Sequence, residues 1–239
     1  MLAESSNTIA SSGNLRPDLY LPATFRHALL VFIADQLPRW RDEPQRSTET
    51  AETILTSQLC AYLSSVAHHS AGWDCLQFRT ETPDEQHRNR KIDLVPSPRG
   101  AIIWVEGRRH TEFDALLPIE CKRLPTPKDA RRDEREYVFS RHSSTGGIQR
   151  FKAGHHGAAH EVGAMIAYIQ DGTIALWNQR VASWIMDVVR SAEPGWTTAD
   201  LLQMDRDDQT SGVAVLHSLH SRAAGLRTIR LQHLWVRMG

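Results

Sequence analysis

Lysine and cysteine are scarce in this chain, and neither sign of charge is in excess. Of its 28 basic residues only Lys91, Lys122, Lys128 and Lys152 are lysines, so each of them invites a question about its role. Formal charge is zero at neutral pH. No overall field draws in polyanions, and any nucleic-acid contact must come from local basic patches. Cys60, Cys75 and Cys121 show no paired spacing and no C-x-x-C, which reads as free thiols in a reducing compartment rather than a disulfide framework or a zinc module. Internal repeats, heptads, a P-loop and a G-x-S-x-G are absent, which argues against an ATPase or a serine hydrolase. Long apolar runs are missing too: Ala28 to Ala34 is too short to span a bilayer, and no basic segment opens the chain as in a secretory signal. The expectation is a soluble cytoplasmic protein without a membrane part.

What is present is an α/β pattern over 239 residues, enough to bury a full core. Residues 1 to about 18 are rich in Ser, Asn and small side chains and read as a mobile arm. Thr24 is placed to cap a helix through Leu37 with Phe25, Leu29, Leu30 and Ile33 on its apolar stripe and Pro38 as its stop. Ser47 or Thr48 is placed to cap a second helix to about His68, striped by Leu55, Leu59, Tyr62, Leu63 and Val66. Trp73 to Phe78 suggests a short strand and Thr80 to Arg90 a loop. Lys91 to Val95, a Pro-Ser-Pro-Arg-Gly turn and Ala101 to Glu106 read as a β-hairpin. Further on come a short helix from about Thr145, an apolar strand Ala164 to Ile169 and an amphipathic helix from Ile174 to Val189. Two late strands, Gly212 to Leu219 and Thr228 to Val236, close the pattern.

The chain is organised around Arg90 to Leu124. In a strand over Pro118 to Leu124, Glu120 and Lys122 share one face and Cys121 points to the other. A carboxylate and an amine on one face of a buried strand are costly unless something neutral forms around them. A divalent cation beside them removes that cost. Asp93, from the strand Lys91 to Val95, and Glu120 would hold it through oxygen, with Lys122 orienting or deprotonating a water.

This arrangement resembles the PD-(D/E)XK nuclease superfamily, the restriction-endonuclease-like fold. Asp93 matches the first acidic position and Glu120-Cys121-Lys122 the E-x-K, while Ile92 stands where the motif has proline and an extra strand fills the interval. Gly147-Ile148-x-Arg150-Phe151 followed by an apolar strand is similar to bacterial restriction and phage-defence nucleases and extends the likeness to roughly residues 48 to 235. The resemblance implies a restriction-endonuclease-like mixed β-sheet core flanked by helices, with residues 1–46 as an arm and accessory helix and 47–239 as the nuclease-like domain. It implies Mg²⁺ or Mn²⁺ held by Asp93, Glu120 and the backbone carbonyl of Cys121. Glu52 either adds a third carboxylate from the first core helix or is a first-turn acid favoured by the helix dipole. Gln149, Arg150 and Lys152, at the rim of a glycine-opened helix, are candidates for phosphate contact, with DNA the expected partner. A homodimer or a larger defence complex would suit such a nuclease.

Other readings stay open beside it. The same fold could be a catalytically inactive module that binds nucleic acid or a partner protein, with Glu120 and Lys122 as an internal salt bridge. Glu106, ahead of Gly107-Arg108, is an alternative partner carboxylate to Asp93. His156 and His160 lie four apart but lack the intervening acid of H-E-x-x-H, and read as loop or cap residues. Arg131, Arg132 and Arg135 interleave with Asp129, Asp133 and Glu134, as on an exposed mixed-charge face. His217, His220, Arg222, Arg230 and His233 are expected at a cleft rim or on a solvated edge strand.

Overall fold

The structure is a computed structural model that describes residues 18–86, 88–128, 132–141, 146–222 and 225–239. Residues 1–17 of the expected arm, the segment 129–131 and Thr145, the expected start of the short helix, lie outside the described residues. The described chain is a mixed α/β fold with a seven-stranded and a three-stranded sheet. The large sheet runs in the order β2 (Leu76–Pro83), β3 (Lys91–Pro98), β6 (Ile119–Leu124), β7 (Val162–Ile169), β10 (Ile229–Arg237), β9 (Val213–His220) and β8 (Gln203–Asp208). β6, β7 and β10 are mutually parallel, and the outer strands on both sides pair antiparallel.

Alternation along β7 shows how the layers form. Ala164, Ile166 and Tyr168 join a core with α1 (Phe25–Arg41) and α2 (Glu52–His68). Met165, Ala167 and Ile169 join a second core with α3 (Gly147–Lys152) and α4 (Ile174–Arg190). A two-residue period on a central strand therefore serves helices on both faces. α4 begins where expected: the Thr173 side chain accepts the Leu176 amide, and Ile174, Trp177, Val181, Trp184, Ile185 and Val188 are buried.

Several expectations are corrected. The helix α1 runs through Pro38 to Arg41, because buried Leu37 and Trp40 hold its last turn and the Pro38 carbonyl still accepts the Asp42 amide. The second helix opens at Glu52 rather than after Ser47, since Ala51 is extended. The expected hairpin does not form. β3 continues to Pro98 and pairs with β2, which itself extends to Pro83. β4 (Ile102–Val105) instead joins the small sheet, parallel to β1 (Asp18–Leu21) and antiparallel to β5 (Arg108–His110). β8 is an additional strand at the edge, so β9 and β10 lie inside the sheet. No described helix is long and apolar enough to cross a membrane.

Candidate active site

The site forms where β3 and β6 part. Their pairing is confined to Leu94 opposite Ile119. Beyond it, alternate amides of β6 face the gap without a strand to accept them. The Cys121 amide donates to Asp93 Oδ2 at 2.8 Å, and the Arg123 amide donates to Glu52 Oε2 at 3.0 Å. Two carboxylates thus take the place of a strand's carbonyls, and an unpaired sheet edge is satisfied by acids. Glu52 reaches this point because it is the first residue of α2.

Lys122 stands among the carboxylates. Its ammonium lies 2.8 Å from Glu120 Oε1, 3.3 Å from Glu52 Oε1 and 3.9 Å from Asp93 Oδ2, and it donates to the Cys121 carbonyl at 3.2 Å. Glu120 is fully buried. Besides Lys122 it meets Arg150 Nη1 at 2.6 Å and His156 Nδ1 at 3.0 Å. The His156 contact lacks hydrogen-bond alignment, so Glu120 Oε2 and His156 Nδ1 are buried without hydrogen-bond partners. Arg150 comes from α3, whose start packs tightly: a Cβ on Gly146 would meet the Phe139 backbone at 2.5 Å.

The electrostatics divide the carboxylates. Burial alone would raise the Glu120 pKa, but Lys122, His156 and Arg150 outweigh it and hold the group well below the ordinary range. Burial pushes Asp93 up to about 7, assisted by the charge of Glu120 and only partly offset by Lys122. Burial would lower the Lys122 pKa, but Glu120, Glu52 and Asp93 raise it, so the amine stays an ammonium. Two clefts of about 250 and 360 Å³ open onto Asp93, the first beside Glu52 and Thr56, the second beside Arg90, Arg150 and His156.

The structure brings Asp93, Glu120, Lys122, Glu52 and Arg150 together. Other candidates lie elsewhere. Gln149 is committed to the backbone, its Oε1 accepting the amides of Ser140 and Gly146. Lys152 is not at a rim: it is buried, 2.6 Å from Asp200 Oδ1, with its ammonium over the Trp196 ring. Glu106 sits in the β4–β5 turn of the small sheet at φ +52°, paired with Arg26 of α1, and is no partner to Glu120. His160 faces Glu85 at 3.5 Å, so the two spaced histidines serve different carboxylates. His220 and His233 face neither cleft nor solvent. They belong to a buried chain running Asp200, His220, Ser218, His233, Tyr137 and Trp235. Sequence reasoning passed over His156 as a site residue. The signal for it was weak, a histidine beside Gly157 in a loop.

Carboxylate oxygens of Asp93 and Glu120 and the Cys121 carbonyl are hard donors of the kind Mg²⁺ or Mn²⁺ prefers. The orphaned buried Glu120 Oε2 and the elevated Asp93 carboxyl are the observations that fit such a cation. Against them, Lys122 already occupies the middle of the group. Among the described residues no cluster of three or more His, Cys, Asp or Glu side chains is arranged to hold a metal. Comparison of the chain with protein-family models, with curated proteins and with solved structures found no match.

Proposed function

We propose that the chain is a metal-dependent nuclease of the PD-(D/E)XK type that hydrolyses phosphodiester bonds, DNA before RNA, in restriction or anti-phage defence. The observation that carries this reading is the convergence of Asp93, Glu120 and Glu52 on one buried ammonium at a splayed strand pair open to solvent. The antiparallel β2–β3–β6 run joined to parallel β7, with helices on both faces, supports the restriction-endonuclease-like core. Asp93, Glu120 and the Cys121 carbonyl are the groups that would hold Mg²⁺ or Mn²⁺. The cation would supply Lewis acidity, neutralising charge on the scissile phosphate and acidifying a nearby water.

The chain's own residues would do the rest. Lys122, held protonated by its three acids, would act as a fixed hydrogen-bond donor to a phosphate oxygen or a water rather than as a base. Arg150, partly exposed and beside the second cleft, would hold a flanking phosphate. Glu52 would position Lys122 and fix the β6 edge through the Arg123 amide. On this reading the protein works in the cytoplasm, alone, as a homodimer or in a larger defence complex.

A second reading has its own support. The 2.8 Å Glu120–Lys122 pair, together with Arg150, already neutralises the buried acid, as in a catalytically inactive module that binds nucleic acid or a partner protein. Purified protein should be assayed on linear, circular and single-stranded DNA and on RNA with Mg²⁺ or Mn²⁺, beside Lys122→Ala and Asp93→Ala. The nuclease reading expects cleavage that both substitutions abolish. Cleavage that survives them refutes the site. No cleavage, together with no Mn²⁺ heat or thermal shift in calorimetry, leaves the inactive module.

A further inference from the structure

Lys152 ends a buried chain of hydrogen bonds whose other end is also tied to the helix that carries Arg150. Lys152 Nζ donates to Asp200 Oδ1 at 2.6 Å, and the same oxygen lies 2.6 Å from His220 Nδ1. The Ser218 hydroxyl stands 2.6 Å from His220 Nε2 and 2.7 Å from His233 Nε2. His233 Nδ1 lies 2.7 Å from the Tyr137 hydroxyl, which accepts the Trp235 indole N–H at 2.8 Å. Every one of these side chains is buried.

The count of donors leaves one arrangement. Burial would raise the Asp200 pKa, but His220 and Lys152 outweigh it and keep the acid ionised. An ionised carboxylate only accepts, so His220 carries its proton on Nδ1. Burial keeps both imidazoles neutral, and His220 Nε2 is therefore an acceptor. Ser218 has one proton and gives it to His220, so its oxygen accepts from His233 Nε2–H. His233 Nδ1 is then an acceptor for the Tyr137 hydroxyl, whose proton burial holds in place. Trp235, a donor only, closes the chain.

Both ends of the chain return to α3. Lys152 is the last residue of that helix. The Tyr137 carbonyl accepts the Ile148 amide at 3.2 Å, flanked by Glu136 accepting from Gly147 and Val138 from Gln149. Arg150 lies between these two anchors and meets Glu120 at 2.6 Å. We propose that the chain is a clamp of fixed polarity that sets α3, with Lys152, Asp200 and Ser218 as positioning residues for the Arg150 guanidinium. A helix of six residues has too few internal hydrogen bonds to hold itself, so its geometry must come from what it is tied to. A buried network in which every donor and acceptor is matched is rigid in the way such a tie requires. What Arg150 does for a substrate rests on the nuclease reading; that it is held by this chain does not.

Two measurements on the full chain in metal-free buffer decide it. Long-range nitrogen–proton correlation spectra at neutral pH read the polarity, and should show His233 protonated on Nε2 and His220 on Nδ1. The converse form of either ring, or a mixture, overturns the proposal. Amide hydrogen exchange reads the anchoring. In Ser218→Ala the amides of Ile148, Arg150 and Ala153 should exchange about 5- to 10-fold faster relative to those of α2, the loss of one buried hydrogen bond. Lys152→Met keeps an apolar stem over the Trp196 ring and removes the ammonium, and should act in the same direction. It serves as the test if the serine variant does not fold. The Arg150 side-chain N–H signal should exchange faster with water in both variants, while the Lys122 signal, on β6, is unchanged. An α3 that quickens only in step with α2 overturns the clamp. Neither measurement reads cleavage. A protein with the expected tautomers and anchoring that never cleaves loses only the nuclease reading, and one that cleaves with the opposite tautomers loses only the clamp.

Discussion

Asp93 accepts the backbone amide of Cys121 at 2.8 Å across two strands that have already separated. A side chain standing in for a strand's carbonyl is tied to one position, so Asp93 cannot turn away to solvent. It stays beside Glu120, and burial and that neighbour hold its carboxyl up at about 7.

That shift has a sign in stability. Asp93 has a folded pKa above its unfolded value near 4, so its contribution is fully present below about pH 4 and is lost as pH rises to about 7. Asp93→Asn keeps an acceptor for the Cys121 amide and removes the titration. In metal-free buffer the variant should gain stability relative to wild type as pH rises from 5 to 8. Urea unfolding at both pH values checks this; an unchanged difference would refute the elevated carboxyl.

Glu120 is the counter-charge for the Lys122 ammonium and the Arg150 guanidinium, with the His156 ring beside it. Glu120→Gln leaves Lys122, Arg150 and His156 facing a neutral amide in a buried place. Breaking a buried ion pair from one side costs about 3–5 kcal/mol. The expected result is a loss of that order in denaturant unfolding, with retained secondary structure at low denaturant in circular dichroism.

The Ser218 hydroxyl lies between two imidazoles, 2.6 Å from His220 Nε2 and 2.7 Å from His233 Nε2. Ser218→Ala should remove the partner of both buried Nε2 atoms and cost about 1–3 kcal/mol for each one left unsatisfied. In the wild type, burial lowers the pKa of both histidines, against the pull of Asp200 on His220. Groups depressed in this way favour the fold above the unfolded value near 6.5, and that stability is lost as pH falls below it. The His233 imidazole resonances should accordingly remain neutral at pH 6 in the folded protein.

Gly157 links the loop bearing His156 to the base of β6. Its φ is +62°, a Cβ there would lie 2.7 Å from Pro118 Cγ, and its amide donates to Asp84 Oδ2 at 3.0 Å. Gly157→Ala should cost about 1–2 kcal/mol from the left-handed backbone alone. The clash with Pro118 adds to that. A lower Tm is expected, and an unchanged Tm would show that the loop relaxes freely.

Much of this was legible before any coordinates. The stripe of α4, the buried faces of α1 and α2, and the strands around Ala164 to Ile169 and Thr228 to Val236 follow from apolar spacing of 3.6 or 2 residues. The strand parity that puts Glu120 and Lys122 on one face and Cys121 in the core is equally local. So Asp93, Glu120, Lys122, Glu52 and Arg150, though not His156, could be named from the sequence.

Their relations could not. Whether Ala101 to Glu106 folds back on β3 or leaves for β1 depends on partners some 80 residues away, and no local period encodes that choice. The same holds for Lys152, whose helix position suggests a rim but whose ammonium finds Asp200, and for His156, brought to Glu120 by a turn at Gly157. Residue type and spacing set which groups could meet. Long-range strand pairing decided that Lys122 stands at their centre, because only the parting of β3 from β6 leaves two amides for the acids to fill.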